Sequence, residues 1–126
     1  MTVQPIRTDI LVLPFTAPPL RPNHRVHWAV KARETRLVRR TAQLLAKAEK
    51  IAPRGSQPVA ITVVWFARDR RRRDGNALAL FAKAAIDGLV DADVLTDDDS
   101  EHLIEERYRV RHDPTNPRIE LWIEDQ

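Results

Sequence analysis

The stretch from Val59 to Ala67, VAITVVWFA, constrains the fold more than any other part of the chain. Every residue in it is apolar except Thr62, so both alternating faces of an extended chain are apolar here. A strand with two apolar faces lies inside a sheet and is covered on both sides. The stretch therefore predicts a central strand, around which the other elements must be arranged.

Two helices and three more strands are predicted around this strand. Residues 6–13 have the pattern of a strand, and residues 28–51 and 75–91 have helical spacing. Residues 103–111 and 118–124 alternate, as two strands of an antiparallel hairpin would. The order β-α-β-α-β-β indicates an α+β fold with a mixed sheet flanked by helices. The inward stripes of the two helices are predicted to comprise Leu37, Thr41, Leu44, Leu45, Ala48 and Ile51, and Leu78, Phe81, Ala82, Ala85, Ile86 and Leu89.

Length and composition indicate a single domain, 1–126. No apolar run is long enough to cross a membrane, and the N-terminal residues lack the pattern of a signal peptide. The chain has no cysteine, which excludes disulfide bonds and thiolate metal ligands. These features predict a cytoplasmic protein without a membrane partner.

The net charge of +3 conceals two halves of opposite sign. Residues 1–73 hold 16 Lys and Arg against 4 Asp and Glu, whereas residues 74–126 hold 5 against 14. A basic half suggests a polyanionic partner such as nucleic acid. The alternative interpretation, that the two halves pair through surface salt bridges, remains open on composition alone.

Two groups of arginines are the candidate phosphate contacts. One follows the central strand directly, and the other runs along one face of the first helix. Arginines in such groups can follow a phosphate backbone, although many basic helical faces are only solvated. The candidates are Arg70, Arg71, Arg72 and Arg73 in the first group and Arg33, Arg36 and Arg40 in the second.

Aspartates at both ends of the second predicted helix are the candidate metal ligands. Asp74 precedes that helix, and the run 97–99 of three aspartates follows it. Carboxylate oxygens are the ligands that Mg²⁺ prefers, and bound Mg²⁺ supports phosphodiester cleavage. Asp74 could equally be a helix cap, and three aspartates before a strand could be a solvated turn. From residues alone, the chain is a nucleic-acid binder, with a metal-dependent nuclease as the sharper hypothesis.

Three segments of the chain resemble the RusA family of Holliday junction resolvases. They are DRRRRD at residues 69–74, KAAIDGL at residues 83–89 and VLTDD at residues 94–98. The resemblance implies a homodimeric, magnesium-dependent endonuclease, of bacterial or phage origin, that nicks four-way DNA junctions symmetrically. Mn²⁺ is expected to substitute for Mg²⁺, and no small-molecule cofactor is implied.

The resemblance also implies roles for individual residues. Asp74 and Asp98 match the family's catalytic, metal-binding aspartates, and Asp97 is the acidic neighbour of Asp98. Lys83 matches the active-site lysine, although its distance from Asp74 along the chain is longer than in the family pattern. Asn76 stands where the family pattern has a second aspartate; its amide oxygen can bind a metal but carries no charge.

The asparagine leaves three outcomes open: an active enzyme with a rearranged site, a weak enzyme, or a junction-binding protein that no longer cuts. An RNA-processing nuclease is a further alternative. A transcription factor is the least expected function, because no helix-turn-helix pair is visible in the sequence.

Overall fold

The computed structural model describes residues 7–20, 27–73 and 78–126. Four strands and two helices follow one another in the predicted order, and they form one small α+β domain. None of the helices in the described ranges is long and apolar enough to cross a membrane. The elements are β1 (Thr8–Leu13), α1 (Trp28–Ala48), β2 (Val59–Ala67), α2 (Ala79–Asp91), β3 (Leu103–His112) and β4 (Arg118–Asp125).

The four strands form one mixed sheet in the order β1-β4-β2-β3. β2 is an inner strand, as predicted, and pairs parallel to β3 and antiparallel to β4. The predicted hairpin between the last two strands is wrong, because β2 lies between them. Their alternating patterns show that each has one covered face, but they do not determine which strand is its neighbour. The most apolar strand occupies the inner position, where both of its edges are hydrogen-bonded.

Both helices contribute to a single core on one face of the sheet. Ile61, Val63 and Trp65 of β2 belong to this core, whereas Thr62 and Val64 point to the opposite face. That opposite face is covered by long side chains of the sheet itself. Trp122 is the cross-strand neighbour of Thr62, and the Arg118 guanidinium lies 3.9 Å from the centre of the Phe66 ring.

The buried side of α1 differs from the predicted one. Its fully buried residues are Val38, Ala42 and Ala46, whereas Leu37 and Leu44 are each 51% exposed. Small side chains face α2 because the two helices come close together, so the larger leucines lie elsewhere. In α2 every residue of the predicted inward stripe is buried.

Gly88 is the point of closest approach between the helices. A Cβ atom at this position would lie 2.8 Å from the Ala42 Cβ and 3.1 Å from the Gln43 nitrogen, and still closer to the Arg39 carbonyl oxygen. The backbone of α1 therefore occupies the space that any larger residue would need.

Gly88→Ala is expected to destabilise the protein by about 1–3 kcal/mol, because the added methyl group pushes α1 away from α2. Urea unfolding monitored by circular dichroism measures this change. In a helix without such a contact, alanine would instead stabilise relative to glycine by about 1 kcal/mol. A rise in the unfolding midpoint would therefore contradict the close approach.

Candidate active site on the second helix

Lys83 and Asp98, two of the residues assigned by the family resemblance, meet on the solvent side of α2. The Lys83 ammonium donates a hydrogen bond to Asp98 Oδ2 at 2.6 Å and one to Asp87 Oδ1 at 3.2 Å. Asp87 is one helical turn after Lys83 and therefore lies on the same side of the helix. The loop that follows α2 thus brings its carboxylate back to the middle of the helix.

The turn after α2 directs the chain towards this contact. Asp93 has a φ of 62°, and the Val94 N–H donates to the Leu89 carbonyl at 3.0 Å, which reverses the chain direction. Val94 and Leu95 are buried and fix the start of the loop in the core. The aspartates that follow are held on the surface beside α2.

Mutual hydrogen bonding favours the charged forms of this pair. The Lys83 ammonium lowers the pKa of the Asp98 carboxyl, and the Asp98 carboxylate, followed by Asp87, raises the pKa of Lys83. Near neutral pH the lysine is therefore a cation and cannot act as a base. The Lys83 side chain is 65% exposed, so a substrate phosphate can reach it.

The neighbours of Asp98 differ in what they contact. Asp97 is exposed, and its Oδ1 accepts the backbone N–H of Asp98 at 2.7 Å. Asp99 Oδ1 accepts the backbone N–H groups of Glu101 and His102, both at 3.1 Å, and lies 2.7 Å from His102 Nδ1. Asp99 therefore stabilises the turn before β3, and Asp97 and Asp98 are the two aspartates of this run that face the candidate site.

An ion-pair network connects the site to α1. Arg39 donates two hydrogen bonds to Asp91, at 2.6 and 2.8 Å, and its guanidinium lies 4.0 Å from Asp87. These bonds lower the pKa of Asp91. Charges of alternating sign thus run from Asp98 through Lys83 and Asp87 to Arg39. The sequence interpretation took Asp87 and Asp91 as solvated surface charges; the four-residue spacing from Lys83 to Asp87 was the signal that could have revealed the first contact.

The arginines after β2 divide into two kinds. Arg70, Arg71 and Arg72 are exposed, and within the described parts of the chain their side chains make no ion pair. Arg73 is instead used by the fold. Its guanidinium lies 2.6 Å from Asp69 Oδ1 and 4.7 Å from the centre of the Trp65 ring, and its side chain is only 14% exposed.

The predicted arginines of α1 are all exposed. Arg36 lies one turn before Arg39, the residue that contacts α2, so its side chain is directed towards the α2 side of the helix. Arg33 and Arg40 lie further round, on the outer surface of α1. Phosphates bound near Lys83 could therefore extend across α1.

The remaining predicted ligands, Asp74 and Asn76, lie outside the described residues. Across residues 7–20, 27–73 and 78–126, no three His, Asp or Glu side chains are grouped so that they could hold a metal ion. The Asp98 carboxylate nevertheless already binds a cationic group, the Lys83 ammonium. Ionised oxygen donors of this kind fit Mg²⁺ and are poorly suited to soft metals.

Neither a comparison with protein-family models nor a search of curated proteins finds a match to this chain.

Proposed function

We propose that this protein is a magnesium-dependent DNA endonuclease that nicks four-way junctions. The observation that carries the proposal is the Asp98 carboxylate bonded to the Lys83 ammonium on the exposed side of α2. Lys83 is four residues into the helix, about 6 Å along its axis from Ala79, so the pair lies near the end of α2 that follows the arginine segment. A metal ligand, a phosphate-neutralising cation and a basic surface thus occur in one region.

The proposed chemistry assigns a separate task to each residue. Asp98 and Asp97, with Asp74 and the amide oxygen of Asn76, would hold Mg²⁺. The bound ion supplies an activated water and neutralises charge on the phosphate. Lys83 donates hydrogen bonds to the phosphate oxygens and stabilises the negative charge that develops during cleavage. Because Asp98 holds the lysine in place, the two residues act as a unit.

Arg70, Arg71 and Arg72, with the arginines of α1, would bind phosphates of the junction arms. Contacts of this kind carry no sequence information, which suits a protein that recognises DNA structure. Their loss should weaken binding on all sequences and reduce the slope of log affinity against log salt by about 0.9 per phosphate contact. The cysteine-free composition fits the reducing cytoplasm of a bacterial cell, for a protein of host or phage origin.

A junction-binding protein without nuclease activity is the second candidate. Asn76 in place of a charged ligand favours it, since a site with fewer carboxylates binds Mg²⁺ more weakly. The lack of a three-acid group among the described residues points the same way.

The two candidates are separated by the substrates that the wild-type protein binds and cuts. A labelled four-way junction, the matching linear duplex and a structured RNA are each incubated with Mg²⁺, Mn²⁺ or EDTA. The proposal predicts nicks in the junction alone, with either metal and not with EDTA. Tight junction binding without nicks would favour the silent binder, and preferential cutting of RNA would favour an RNA-processing nuclease.

A further inference from the structure

Four of the large apolar side chains that remain exposed belong to β1 and α1. Ile10 and Val12 of β1 are 53% and 49% exposed, and Leu37 and Leu44 of α1 are each 51% exposed. Exposed apolar residues scattered singly need no explanation, whereas a contiguous group marks an interaction site. The question is therefore whether these four lie together.

Helix geometry places both leucines on the outer side of α1. The α2 helix contacts α1 at Arg39, Ala42 and Gln43. With 3.6 residues per turn, Leu37 and Leu44 lie on the side of α1 opposite to that contact. α1 packs over β1, which is an edge strand of the sheet. The leucines therefore face outwards, beyond the β1 edge, on the same side of the domain as Ile10 and Val12.

The two edges of the sheet differ in how they are protected. β3 carries charged residues at most of its exposed positions, which prevents pairing with another sheet. β1 has the sequence TDILVL, in which no charge follows Asp9, and within the described parts of the chain its only strand partner is β4. The unprotected edge is thus the one that continues into the apolar side of α1.

We infer that β1 and the outer side of α1 form the contact surface for a second copy of this chain. A two-fold axis perpendicular to the sheet makes β1 antiparallel to its counterpart, so the two sheets continue into one. It also makes α1 antiparallel to its counterpart. This arrangement buries the exposed apolar side chains of both copies against each other.

The charges on α1 fit this antiparallel pairing. In the register that places Leu37 opposite Leu44 of the second copy, Glu34 lies opposite Lys47, and the same pair recurs on the other side of the axis. Among the described residues neither Glu34 nor Lys47 has a salt-bridge partner within its own chain. A helix surface that is self-complementary in charge and in apolar residues selects a second copy over an acidic or a nucleic-acid partner.

The dimer has a consequence for the site, which rests on the proposed function. Both helices of each copy lie on the same face of the sheet, so the continued sheet presents both Lys83–Asp98 pairs on one side. Two equivalent sites facing the same way, related by a two-fold axis, are what paired nicking of opposed junction strands requires.

The first test is the oligomeric state without DNA. Sedimentation equilibrium should show a dimer for the wild-type protein and for the control variant Ile104→Glu, which changes an equally exposed apolar residue on β3. The double variant Leu37→Glu/Leu44→Glu should raise the dimer dissociation constant by at least about 100-fold. Unchanged circular dichroism establishes that it is folded. A monomeric wild type, or a double variant that dimerises normally, would overturn the inference.

A charge exchange tests the register. Glu34→Lys and Lys47→Glu should each weaken the dimer about three- to tenfold, and the double exchange should restore it. The absence of native cysteine allows a direct check, because Thr41→Cys, near the axis, should form an intermolecular disulfide and Ile104→Cys should not. No rescue and no cross-link would reject this pairing. Dimerisation and nicking are measured separately, so a dimer that does not cut refutes only the proposed function.

Discussion

Asp98→Asn is expected to lower the rate of junction nicking in Mg²⁺ by at least about 100-fold, because the variant loses a charged metal ligand and the acceptor that positions Lys83. Single-turnover cleavage of a labelled junction measures this rate. Junction binding in EDTA should be preserved, because the phosphate-binding arginines are unchanged. Lys83→Met should reduce nicking by about 10²–10³-fold.

Asp99→Asn is the matched control. It removes the same charge from the next residue, but the Asp99 carboxylate contacts the turn before β3 and not the lysine. Its nicking rate should stay within a few fold of wild type. If Asp98 and Lys83 act as a unit, the double variant Asp98→Asn/Lys83→Met is no slower than the slower single variant. Equal losses in Asp98→Asn and Asp99→Asn would contradict the assignment of Asp98.

Arg54→Ala is expected to destabilise the protein by about 3 kcal/mol, because it leaves two carboxylates without their shared partner. The Arg54 side chain is 4% exposed; its Nη2 lies 2.6 Å from Asp9 Oδ2, and its Nε donates to Asp125 Oδ1 at 2.9 Å. The residue thereby connects the loop before β2 to β1 and to the end of β4. Thermal and urea unfolding measure the loss.

Arg7→Ala provides the comparison for Arg54. Arg7 also pairs with Asp9, at 3.0 Å, but its side chain is 49% exposed, so its loss should cost about 0–1 kcal/mol. In the Asp125→Asn background, Arg54→Ala should cost less than in wild type, since one of its partners is already neutral. Equal effects of Arg7→Ala and Arg54→Ala would show that burial does not strengthen this ion pair.

The order of elements could be predicted from the sequence because each has a distinct period. β2 has two apolar faces, and its predicted bounds of Val59 to Ala67 are those observed. The neighbours of β3 and β4 could not be predicted, because an alternating pattern fits any partner strand. The buried side of α1 was wrong for a related reason. Periodicity finds the apolar side of a helix, but here Ala42 faces Gly88 while Leu37 and Leu44 remain exposed.

The candidate site was predictable only in part. Motif resemblance selected Lys83 and Asp98, and the structure brings them into contact. The bonds of Arg39 to Asp91 depend on how α1 and α2 pack, which single-chain spacing does not reveal. Arg73 was placed among exposed phosphate contacts, whereas its guanidinium is held by Asp69 and Trp65, because adjacent arginines look alike in sequence but not in burial.

Strand mapping of a labelled four-way junction after incubation with the wild-type protein tests the central claim most directly. The account predicts nicks at symmetric positions on two opposed strands in Mg²⁺, none in EDTA and none with Asp98→Asn. A junction that is bound tightly but stays intact in both Mg²⁺ and Mn²⁺ would contradict the proposal that Asp98 and Lys83 form the active site of a nuclease.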